Sequence, residues 1–115
     1  MKPTRPIVMC FSGHDPSGGA GVQADIETLL SHNCHPASII TALTEQDSRN
    51  VKKLIPQKPS DILHQADTLL SDFNIAAVKI GLIVIACGVI VGLVVIGRFF
   101  IILGIPPRIR SGIVV

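Results

Sequence analysis

The stretch "SGHDPSGGAGVQAD", Ser12 to Asp25, holds four glycines in fourteen residues and joins two opposite patterns. Before it, "PIVMCF" (Pro6 to Phe11) is a short continuous apolar run of the kind that forms a strand buried on both faces. After it, Val22, Ile26, Leu29 and Leu30 fall at i, i+4, i+7 and i+8, one face of a helix, with Gln23, Asp25, Glu27 and Thr28 off that stripe. The helix is expected to end near His32 to Asn33. A strand, bare backbone and then a helix start bring free N–H groups to one point, where anions and small polar ligands bind.

The rest of the N-terminal part continues in the same style. "ASIITAL", Ala37 to Leu43, predicts a second strand. "TEQDSRNVKKLIPQKP" predicts a polar loop with at most a short edge strand at Val51 to Ile55. Ser60 is the expected N-cap of a second helix, with Leu63, Ala66 and Leu70 as its apolar stripe and Phe73 near its end. "AAVKIGLI", Ala76 to Ile83, predicts a third strand. Alternating strands and helices imply an α/β fold with a parallel sheet and right-handed crossovers.

The C-terminal part breaks the pattern. All eight acidic residues precede Lys79, and beyond it the charges are Arg98, Arg108 and Arg110. Ile80 to Gly97 has eighteen residues without a charge, the length at which a membrane helix becomes a candidate. Residues 1–83 and 84–115 are therefore expected to be different regions. At 115 residues the chain suffices for one small domain. A net charge of +2, no Trp or Tyr and four Phe argue against a nucleic-acid binder. Three cysteines without a C-x-x-C pair, and a start too short in apolar residues for a signal peptide, point to a reducing, cytoplasmic setting.

Three ligand readings compete for the glycine loop. Gly13 and Gly18 have P-loop spacing, but Gly19 and Ala20 stand where the lysine and the hydroxyl are required. Gly19, Gly21 and Ala24 fit a dinucleotide fingerprint, with Glu45 at a suitable distance, yet the seven residues Ser12 to Gly18 have no place in that tight turn. The third reading makes the loop a wall over a small polar substrate, with Asp25 as a directional acceptor. The plain alternative is a sharp turn with Asp25 in solvent. His32, Cys34 and His35 cluster, but they straddle the expected helix end, and a loop cap is the default; no metal site is expected.

"SGHDPSGGAGVQADI", "SIITALTEQDS" and "AVKIGLI", in this order, resemble the hydroxymethylpyrimidine/phosphomethylpyrimidine kinases of thiamine biosynthesis, members of the ribokinase-like superfamily. The resemblance covers about Ile7 to Ile83. It implies a ribokinase-like parallel sheet with flanking helices, and phosphorylation of 4-amino-5-hydroxymethyl-2-methylpyrimidine and its monophosphate with ATP and Mg²⁺. It also implies a small-molecule pyrimidine as partner and allows a homodimer. On the same basis Asp25 lies beside the substrate and Gln46 holds the aminopyrimidine edge, just past the second strand. Gly13 and Thr44 line the pocket with backbone, and Leu82 packs on the ring. The carboxamide suits this role because it offers one donor and one acceptor face.

The family's catalytic Gly-rich motif, G-[ST]-G with a reactive residue, does not follow Ile83, so no catalytic residue is assigned. The expectation is a kinase truncated after its third core strand, with 84–115 frame-shifted and the chain inactive. The alternative is a dinucleotide-binding or membrane-anchored non-enzymatic module.

Overall fold

The computed structural model describes residues 5–82 and the backbone of residues 113–114. The elements are β1 (Ile7–His14), α1 (Gly21–Ser31), β2 (His35–Gln46), β3 (Val51–Pro56), α2 (Pro59–Asp72), β4 (Ile75–Ile80) and β5 (Ile113–Val114). They build one sheet in the order β3-β2-β1-β4-β5. β1 pairs in parallel with β2 and β4, and β4 in parallel with β5. The long apolar run after Ile83, with the membrane and frame-shift readings attached to it, falls outside the described residues apart from β5. Among the described residues no helix is long and apolar enough to cross a membrane.

Alternation along β1 separates two faces. Ile7, Met9 and Phe11 join Ala37, Ile39, Ile75 and Val78 in one buried cluster, covered by Ile62 and Ala66 of α2. Val8, Cys10 and Ser12 have the opposite parity and face α1. Phe11, Met9 and Ile39 are the largest fully buried side chains. His35, at the start of β2, meets the ring of Phe73 edge-on at 5.8 Å and so closes the end of this core. Cys10 is buried against the other face, and burial pushes its thiol up to about 11, which keeps it protonated and inert.

Four expectations need correction. The sheet is mixed: β3 runs antiparallel to β2, pairing from Gln46 with Val51 to Ala42 with Pro56. β2 is longer than predicted because Thr44 to Gln46 continue as the first arm of this hairpin rather than as loop. The tight Asp47 turn, whose carboxylate accepts from the Arg49 and Asn50 amides at 2.8 and 2.9 Å, makes the reversal possible. The N-cap of α2 is Lys58, without a side-chain cap, and Pro59 opens the helix, so Ser60 already lies in the first turn.

The inward face of α1 keeps the predicted Val22, Ile26 and Leu29, but Leu30 is 45% exposed, and Asp25, expected off that stripe, turns towards the sheet. A hydrophobic pattern cannot anticipate a carboxylate that is drawn inward by partners on distant strands. α1 ends as expected: Asn33 takes a left-handed φ of 56°, and the Cys34 and Asn33 amides close on the Leu29 and Leu30 carbonyls at 2.9 and 3.1 Å.

Ile39→Ala, at a 1% exposed position, is expected to destabilise the fold by about 2–5 kcal/mol in urea unfolding. Val51→Lys, on the exposed β3, is expected to stay within about 0.5 kcal/mol.

Candidate functional site

The C-terminal ends of β1, β2 and β4 lie side by side, and the chain between β1 and α1 folds over them. Open α/β sheets bind ligands at this edge. A cavity of about 200 Å³ lies here. Its walls include Ser12, Gly13 and His14 of β1, Thr44 and Gln46 of β2, and Lys79, Gly81 and Leu82 at the end of β4. Asp15, Ala20 and Gly21 close the loop side.

The loop is organised by Asp15, which the sequence reading passed over. Its Oδ1 accepts from the Ser17 hydroxyl at 2.7 Å and the Ser17 amide at 2.8 Å, and its Oδ2 accepts from the Ala20 amide at 3.0 Å. The Gly18 amide donates to the Asp15 carbonyl at 3.1 Å. The Ser17 hydroxyl first, with the backbone amides, holds the Asp15 carboxyl below its ordinary value. The Asp-Pro-Ser sequence is a recognisable signal for such an Asx-type turn. Gly21 has φ +65° and its missing Cβ would overlap the Gly13 carbonyl, so the helix can start only there without a side chain. The plain reading of the glycines as a turn therefore explains Gly21, while the cavity wall explains the loop's position.

Hydrogen bonds lock the other walls. The Thr44 hydroxyl donates to the His14 carbonyl at 2.8 Å, which ties the end of β2 to the end of β1. The same oxygen lies 2.8 Å from Gln46 Oε1. One hydroxyl proton serves one of these acceptors fully; with it on His14, Thr44 can accept from the Gln46 amide turned over, leaving the Gln46 carbonyl for the cavity. The Gly81 amide donates to the Phe11 carbonyl at 2.7 Å and the Thr41 hydroxyl to the Leu82 carbonyl at 2.5 Å. These two bonds place Leu82 on the cavity wall. A Cβ on Gly13 would sit 3.0 Å from Leu82 Cδ2, so the bare residue leaves room for it.

Of the five residues singled out from sequence, Gly13, Thr44, Gln46 and Leu82 share this cavity. Gln46 is the last residue of β2 rather than one beyond it. Asp25 is the exception: it is not on the cavity wall but one layer behind. Its carboxylate accepts from the Ser12 hydroxyl and pairs with the Lys79 ammonium. Lys79, to which the sequence assigned no role in the site, lines the cavity itself. Its position could be found only once β4 was placed beside β1. His32 and His35 do not form a site: His32 Nδ1 lies 2.8 Å from the Thr28 carbonyl at the helix end, and His35 meets Phe73 edge-on.

Two expectations follow from this geometry. Gly21→Ala is predicted to destabilise by more than about 1 kcal/mol, since it adds a left-handed penalty to an overlap. Gly19→Ala, whose Cβ would have ordinary 3.7 Å contacts, stays close to wild type in the same unfolding experiment. Because the Asp15 carboxyl is depressed in the folded chain, its contribution is present above the unfolded value near about pH 4 and is lost as pH falls through the folded one. Melting temperatures across the acid range should fall more steeply for wild type than for Asp15→Asn.

Comparison with known proteins agrees with the geometry. The family described as phosphomethylpyrimidine kinase matches residues 15–94, eleven residues beyond Ile83. A putative hydroxymethylpyrimidine/phosphomethylpyrimidine kinase of Schizosaccharomyces pombe is 39% identical over 82 residues, which are 71% of this chain and 25% of that protein. The hydroxymethylpyrimidine/phosphomethylpyrimidine kinase of Escherichia coli is 39% identical over 75 residues, 65% of this chain and 28% of that one. The crystal structure of a phosphomethylpyrimidine kinase from Clostridium difficile superposes with a TM-score of 0.76 at 27% identity, covering 83% of this chain and 41% of that one. The chain thus spans little more than a quarter of the length of these curated relatives. The matches favour the pyrimidine-kinase reading over a dinucleotide-binding or membrane-anchored module, and the fold is ribokinase-like. With the family match covering residues 15–94, more than two thirds of the chain, the chain belongs to the phosphomethylpyrimidine kinase family.

Proposed function

We propose that the described residues form the substrate-holding part of a kinase that phosphorylates 4-amino-5-hydroxymethyl-2-methylpyrimidine and then its monophosphate. The observation that carries this reading is the Gln46 carboxamide on the wall of a cavity closed by Leu82 and the glycine loop. Its donor and acceptor complement a ring nitrogen next to an exocyclic amine. Leu82 offers an apolar contact to a flat ring, while Gly13 lets backbone approach it. Asp15, its oxygens already satisfied, holds the loop in place without competing for the ligand.

ATP as donor, Mg²⁺, a cytosolic location and a homodimer belong to the same proposal. Among the described residues there is no group of three or more His, Cys, Asp and Glu that could hold a metal ion. The G-[ST]-G motif of the resemblance is also absent from this sequence. The described residues do not fit ATP with its magnesium, and no transfer step is assigned to them. Phosphoryl transfer depends on donors that position and stabilise the moving group. These 115 residues alone are therefore proposed to bind pyrimidine without phosphorylating it.

Ligand-observed NMR with the full chain tests the reading. Saturable binding of the hydroxymethylpyrimidine is expected, with none for NAD. Gln46→Ala is expected to weaken binding by about 1–3 kcal/mol, because ring polar groups lose their partner. Binding of NAD alone, or an unchanged affinity in Gln46→Ala, would overturn it.

A further inference from the structure

The Asp25 carboxylate is one layer behind the cavity, but both groups it holds are on the wall. The Asp25 side chain is 12% exposed and that of Lys79 33% exposed, so the pair runs from the α1–sheet interface to the cavity. An ammonium carries three N–H donors. One is committed to Asp25 Oδ1, and no other partner of Lys79 occurs among the described residues. Gly81 stands beside it: a Cβ there would lie 3.5 Å from Lys79 Nζ and 3.3 Å from Ser12 Oγ. The bare residue keeps that approach open. Lys79 is also the one Lys or Arg among the described wall residues. The wall's carboxylate, Asp15, is turned into its own loop by Ser17 and Ala20, and His14 is tied through its carbonyl to Thr44.

We infer that Lys79 is a ligand-binding residue of this cavity, whose remaining N–H groups take an anionic phosphate-ester oxygen on the pyrimidine. Asp25 is a positioning residue that acts through Lys79 and does not touch the ligand. This assignment rests on the pyrimidine reading and adds to it a means of telling the monophosphate from the free alcohol. A charged hydrogen bond to a phosphate oxygen is stronger than one to a neutral hydroxyl.

The test is titration of the full chain with the pyrimidine alcohol and with its monophosphate. Lys79→Met is expected to lower the monophosphate-to-alcohol affinity ratio about tenfold or more, and Lys79→Arg to restore part of it. The wild-type ratio is expected to fall as ionic strength rises, and that of Lys79→Met to stay flat. Asp25→Asn should lower the same ratio; a role confined to stability would lower the melting temperature and leave the ratio alone. Where Lys79→Met melts early, Gly81→Ala puts a methyl 3.5 Å from the ammonium and 3.3 Å from the Phe11 carbonyl, and should lower the ratio as well at a melting temperature close to wild type. If wild type binds neither ligand, the pyrimidine reading fails and this assignment with it. If wild type binds both, but Lys79→Met or Gly81→Ala leaves the ratio unchanged, the assignment to Lys79 alone is overturned.

Discussion

Asp25 reaches from the second turn of α1 to the sheet, where one oxygen takes the Ser12 hydroxyl and the other the Lys79 ammonium. Ser12 belongs to β1 and Lys79 to β4, which are neighbouring strands joined in parallel. A single carboxylate thereby fixes helix, central strand and next strand against one another at the end of the sheet that carries the cavity. At 12% side-chain exposure the carboxylate has both oxygens satisfied, as a partly buried charge requires. The arrangement also decides what the cavity meets on this side: a hydroxyl and an ammonium rather than the Asp25 carboxylate.

The glycine loop is subordinate to that frame. Once α1 is drawn onto the sheet, its first residue lies against the Gly13 carbonyl, and only glycine fits at position 21. The residues between β1 and α1 must then turn back on themselves, and Asp15 supplies the anchor with three hydrogen bonds from Ser17 and Ala20. The register shift between Ser12 and Gly13 lies at the same place. Strand irregularities of this kind re-aim side chains near sites. Here the shift separates Ser12, which bonds Asp25, from Gly13, which meets Leu82.

Much of this was legible beforehand, for local reasons. Pro6 to Phe11 reads as a buried strand, and the strand–loop–helix order follows from changes of period. Gln46 and Leu82 entered through resemblance of whole blocks, since alone each looks like an ordinary loop residue. The edge strand at Val51 to Ile55 was foreseen, but its antiparallel pairing with a longer β2 was not, because "TEQDSRNVKK" is polar on both sides and an exposed edge strand has no hydrophobic signature. Asp25 was misread as off-stripe for a related cause. Hydrophobic periodicity counts apolar faces and is blind to an ion pair that buries a charge.

The amino-acid sequence by itself determined the alternation of elements, the need for bare backbone before α1 and the separation of an acid-containing part from one without acids, because these depend on neighbours along the chain. Tertiary structure alone decided that Asp25 stands behind the cavity and Lys79 on its wall. Those two residues lie fifty-four positions apart. Only the parallel pairing of β1 with β4 brings their charges within reach, and no local pattern encodes which strand will lie beside which.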